Sequence, residues 1–78
     1  MAEFIVTFGQ KYRNEPHPKV KYADPDGYLL ILSPDYKTAR EAAFRELGEH
    51  FSTMYEKEEK YTQYFPKGAL HTISTYHL

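Results

Sequence analysis

The side chains able to do chemistry are few and scattered. The histidines are His17, His50, His71 and His77. None stands three or four residues from another, and the chain has no cysteine. A metal site would therefore need long-range assembly from nitrogen ligands alone, and none is expected. Ser33, Ser52 and Ser74 lie in no strained elbow of the kind that exposes a nucleophile. Gly9, Gly27, Gly48 and Gly68 stand singly, so no glycine-rich loop cradles a phosphate. Glu56, Glu58 and Glu59 form a charged run suited to solvent rather than a paired acid and base in a cleft. Asp24-Pro25-Asp26-Gly27 opens like a calcium loop, but the further oxygen ligands and the distal glutamate do not follow. Proline and glycine there suit a tight turn. The expectation is a protein without enzymatic activity, metal or cofactor.

What remains is binding. Gln10–Gly27 reads QKYRNEPHPKVKYADPDG, a long connection in which Pro16, Pro18 and Pro25 exclude most helix. Long irregular segments in a small domain are functional or mobile. Over 10–22, Lys11, Arg13, Lys19 and Lys21 stand against Glu15, and cations alternate with Tyr12 and Tyr22. Proline lowers the entropy lost when a loop is ordered by a partner. Arg and Tyr are common interface anchors. The expected contacts are Tyr12, Arg13, His17, Lys19 and Lys21. The same interleaving suits a second function, a nucleic-acid or nucleotide binding module, since stacking and phosphate contact hold single strands. The net charge of −1 opposes strong non-specific binding to nucleic acid.

The elements that must position this loop are legible around Tyr28–Gly48, YLLILSPDYKTAREAAFRELG. Tyr28–Leu32 is an apolar run between Gly27 and Pro34 and reads as a strand covered on both faces. Either Ser33 or Asp35 caps the helix that follows. Helical spacing puts Tyr36, Ala39, Ala43 and Leu47 on the buried face, with Ala42 and Phe44 flanking and Lys37, Thr38, Glu41 and Arg45 opposite. Gly48 supplies the left-handed stop. Upstream, Glu3–Gly9 alternates as a strand with Phe4, Val6 and Phe8 on one side, and Ile5 implies some cover on the other. Val20 and Tyr22 form a short extended piece. Downstream, His50–Tyr55 reads as a strand in which Phe51, Thr53 and Tyr55 share a face. Glu56–Lys60 is a charged turn or short helical start, Leu70–Thr75 a closing strand, and Tyr76–Leu78 a frayed end.

The order is β-loop-β-α-β-β. It predicts a single α+β domain over 1–78, with a small, mostly antiparallel sheet of three to four strands and one amphipathic helix packed on one face. Seventy-eight residues give a thin core, worth ~3–5 kcal/mol net. No apolar run reaches the ~20 residues that span a bilayer, and the N-terminus does not read as a signal peptide, so a cytoplasmic protein with no membrane partner is expected. Eight tyrosines and five phenylalanines with no tryptophan suit half-buried strands and interfaces. Surplus tyrosine is expected on an open sheet face. It also favours a symmetric homodimer through that face or an edge strand.

Val6–Tyr12, His17-Pro18, Ala23–Tyr28 and Tyr64–Gly68 together resemble small uncharacterised proteins encoded by phages of actinobacteria. The resemblance covers most of the chain and carries no assigned functional residues. It implies a context: short, cysteine-free, aromatic-rich phage proteins are often accessory factors that bind and block a host protein, anti-CRISPR inhibitors among them.

Overall fold

A computed structural model of the chain describes residues 2–10, 15–58 and 63–77. Four strands and one helix follow in the order β1 (Ala2–Thr7), β2 (Gly27–Ser33), α1 (Tyr36–Leu47), β3 (Thr53–Glu56) and β4 (Gly68–Ser74). The sheet order is β3-β1-β2-β4. β1 is antiparallel to both β2 and β3, while β4 joins β2 in parallel. The result is an α+β fold with a mixed, mostly antiparallel sheet, in the predicted element order.

β1 forms because apolar residues occupy both of its faces. Phe4 and Val6 point to α1, and Ile5, fully buried, points away. In β2, Leu29 and Ile31 face α1, and Tyr28 is buried on the other side. The helix side of the core closes with Ala39, Ala42, Ala43 and Leu47. Small side chains let the backbone of α1 approach the sheet closely.

Asp35 is the helix cap: its carboxylate accepts the Thr38 N–H at 2.7 Å. Ser33, the other candidate, is fully buried instead, and its hydroxyl donates to the Asp35 carbonyl. At the far end Gly48 takes φ 64° and donates to the Phe44 carbonyl, a geometry that disfavours any side chain. Gly27 is required for a different reason. A Cβ there would lie 2.5 Å from the Leu70 side chain, where β4 steps past β2 at a register shift.

Four details depart from the sequence reading. Tyr36 is 52% exposed rather than core; the buried face is rotated toward Ala42, because a ring cannot enter the narrow gap the alanines create. The third strand is Thr53–Glu56, and its buried residue is Met54 rather than the Phe51-Thr53-Tyr55 set. The Ser52 N–H donates to the Thr7 carbonyl ahead of the regular ladder, which shifts the phase. Val20 and Tyr22 form no strand but pack against the core as part of an irregular segment. Thr75–His77 is one 3-10 turn, tied down by the Thr75 hydroxyl, which donates to the Leu32 carbonyl at 3.0 Å.

β3 and β4 sit at opposite edges and run the same way. The chain between them must return the length of the sheet, as α1 does between β2 and β3 in the opposite lateral direction. Phe65, shortly before β4, lies edge-on to Tyr28 at 5.8 Å between centroids, on the face away from α1.

Two variants probe this packing. Leu47→Ala removes a fully buried side chain and should cost ~2–4 kcal/mol, read as a lowered midpoint in thermal or urea unfolding. The Thr38 backbone N–H, and after it the Thr38 hydroxyl, hold the Asp35 carboxyl below the usual carboxylate range. A depressed acid stabilises the fold above its unfolded value and loses that contribution as pH falls. Asp35→Asn keeps a cap and should flatten the acid limb of a stability-versus-pH curve relative to the parent.

Candidate interaction surface

The long loop is not loose where it is described. Asp24-Pro25-Asp26-Gly27 is a tight turn: the Gly27 N–H donates to the Asp24 carbonyl, and Asp24 Oδ1 accepts the Asp26 N–H. Lys67, the residue before β4, reinforces it. Its ammonium pairs with the Asp24 carboxylate and its backbone N–H donates to the Asp26 carbonyl. Val20, Tyr22 and Ala23 pack against the core and Pro25 is buried.

His17 pins the other end. Its Nδ1 accepts the backbone N–H groups of Lys19 and Val20 at 3.0 and 3.2 Å. Nε2 lies 2.6 Å from the His50 carbonyl. With two donors aimed at Nδ1, the proton belongs on Nε2, which donates to His50. The ring also meets Phe8 and His50 edge-on, each at 5.7 Å. His17 is thus half-buried and holds the loop to the chain that follows α1. Lys19 and Lys21 are exposed beside it. Tyr12 and Arg13, with Lys11, lie outside the described residues.

Tyr22 does not offer its ring to a partner. It stacks on His71 at 5.0 Å and meets Phe8 at 6.2 Å. Its hydroxyl is buried and has no hydrogen-bond partner among the described residues. Burial, with Glu46 adding, pushes the phenol up to about 12. Among the described residues no group of three or more acidic or histidine side chains is placed to hold a metal ion.

The exposed aromatics gather elsewhere. Tyr36, Arg40 and Phe44 are spaced i, i+4, i+8 and form one stripe along α1. Tyr36 is 52% and Phe44 40% exposed. The Arg40 guanidinium lies 5.2 Å from the Phe44 ring centroid. The stripe borders a groove of about 440 Å³ between α1 and β3, lined also by Phe51, Met54 and Glu49. Phe51 meets Phe44 edge-on at 5.3 Å, and Tyr36 meets Phe4 at 6.0 Å. The other exposed tyrosines, Tyr64 and Tyr76, sit before and after β4. Tyr36 lies on α1 rather than on the sheet face away from it; on that face Tyr28 is buried and Tyr55, opposite Ile5, is half-buried.

The stripe had a signal in the sequence. Three alanines and Leu47 already fill the narrow contact with the sheet, so Tyr36 and Phe44 exceed what one buried face can hold.

The hydroxyl of Tyr22 yields a test with a definite sign. A phenol raised in the fold is favoured in its protonated form. Its contribution to stability is fully present below the unfolded value near 10 and is lost as pH rises toward about 12. Tyr22→Phe should leave neutral-pH stability unchanged or raised, because it removes an unpaired buried hydroxyl. It should also lessen the alkaline loss over pH 10–12 in difference from the parent. His17→Phe keeps the ring and loses its hydrogen bonds, and should cost about 1–3 kcal/mol in urea unfolding.

No protein-family model matches the chain, and no curated protein or solved structure is similar to it.

Proposed function

We propose that the chain is a non-enzymatic binding module that acts by protein–protein contact, as a phage-type accessory protein that binds and inhibits a host protein. The supporting observation is the Tyr36-Arg40-Phe44 stripe beside the groove between α1 and β3. Aromatic and arginine side chains beside a shallow groove are the usual anchors of an interface. Anti-defence inhibition, including that of CRISPR effectors, is the class that fits the resemblance. The working place of such a factor is the host cytoplasm. Among the described residues no helix is long and apolar enough to cross a membrane.

The alternative, a nucleic-acid or nucleotide binder, rests on the cations of the loop. Lys19 and Lys21 are exposed and available for phosphate, but Tyr22 is turned inward and cannot stack on a base. Its aromatic partner would have to be Tyr12.

Capture from a host lysate, with and without nuclease, separates the two. On the protein reading a single partner survives nuclease treatment, and Arg40→Ala or Phe44→Ala weakens its binding by about tenfold or more while leaving the circular dichroism spectrum unchanged. On the nucleic-acid reading, changing Lys11, Arg13, Lys19 and Lys21 together to Ser abolishes recovery, and binding by the parent falls steeply with salt. Retention of every partner by both the stripe and the loop variants would remove both surfaces.

A further inference from the structure

β3 is an edge strand of the sheet among the described residues. The Lys57 N–H donates to the Glu3 carbonyl at 2.7 Å, and Tyr55 faces Ile5 in the same register. In an antiparallel ladder, residues whose main chain bonds the neighbour alternate with residues whose main chain points the other way. Thr53, Tyr55 and Lys57 therefore turn toward β1. Met54 and Glu56 turn their N–H and carbonyl groups outward, along the edge.

We propose that β3 is a self-association strand, along which two copies of this chain pair antiparallel about a two-fold axis at Tyr55. The strand is complementary to itself in this register and in no adjacent one. Met54 of one copy pairs with Glu56 of the second, and each such pair exchanges both of its main-chain bonds. Lys57 then lies opposite Thr53, so no like charges face each other. Centring on Glu56 would oppose two carboxylates. Centring on Met54 would bring in Ser52, whose N–H is already committed to Thr7.

The axis at Tyr55 is a non-hydrogen-bonded position, where opposed main chains come closest. Met54 lines the groove that runs beside the strand. A two-fold axis normal to the sheet keeps both helices on one side. The two grooves become the walls of one trough, and both Tyr36-Arg40-Phe44 stripes look the same way. The opposite edge is less suited to pairing: β4 carries a register shift beside Tyr28 and Leu29, and such irregularities protect edges from association. This inference concerns the chain alone and stands apart from the identity of any partner.

Sedimentation velocity on the full chain should show a species of twice 9.2 kDa growing with concentration. Glu56→Pro removes one outward N–H, leaves the ladder to β1 untouched and replaces an exposed side chain. It should return the protein to monomer with an unchanged circular dichroism spectrum. Because the chain has no cysteine, a single cysteine reports register directly. Residues opposed at a non-bonded position have Cα atoms about 4.5 Å apart, within disulfide reach. Tyr55→Cys should cross-link rapidly under mild oxidation, and Thr72→Cys on β4 should not. Three results would overturn the proposal: a parent that stays at 9.2 kDa up to millimolar concentration, a folded Glu56→Pro that still dimerises, or a Tyr55→Cys that links no faster than Thr72→Cys. Should Glu56→Pro fail to fold, the cysteine pair decides alone.

Discussion

The close seat of α1 on the sheet governs the rest of the molecule. Ala39, Ala42 and Ala43 contribute almost no side-chain bulk, and Leu47 alone reaches deeply into the core. A helix that sits so low leaves no room for rings beneath it. Tyr36 and Phe44 are pushed to its margin, where they half-cover Phe4 and Phe51 and remain half in solvent. The groove beside β3 follows from the same geometry, because a slim helix does not extend sideways over the edge strand. One packing choice thus produces both the core and the exposed aromatic surface.

The sheet face away from α1 is built on different terms. Ile5 and Tyr28 are buried there although no helix among the described residues covers them. Phe65 supplies part of the cover from the connection that precedes β4. Polar ties anchor the ends of that connection and of the long loop to each other. Lys67 bonds both Asp24 and Asp26, so the turn before β2 and the turn before β4 are held as one corner. Another anchor of the loop is the imidazole of His17, set between two donors and one acceptor.

Much of this architecture could be read from residue order. Alternation in Glu3–Gly9, the apolar run Tyr28–Leu32, the cap–helix–glycine sequence and the closing strand are local patterns, and local patterns survive into the fold. The failures share a cause: they depend on what lies across space. The phase of β3 was set by Ser52 meeting Thr7, which nothing in 50–55 announces. The rotation of α1 was set by the width of its gap. The exposed stripe was only half legible: Phe44 read as flanking the buried face, but Tyr36 looks like a core residue until the width of the gap is known. The loop contacts proposed from composition divided in two. His17 became a structural anchor, and Lys19 and Lys21 stayed exposed.

The strand order has a consequence for how the chain reaches this state. No two neighbouring strands are joined by a short hairpin. Thr7 and Thr53, bonded across β1 and β3, are 46 residues apart, and Thr75 and Leu32, beside the β2–β4 pair, are 43 apart. Pairings so distant must pay loop-closure entropy before any contact rewards it. Folding should therefore be slow for so small a protein, in the millisecond-to-second range typical of non-local sheets. During synthesis, the parallel edge strand β4 cannot dock until the chain through Ser74 has been made. Until then β2 presents a bare, apolar edge, and the nascent chain is prone to aggregate.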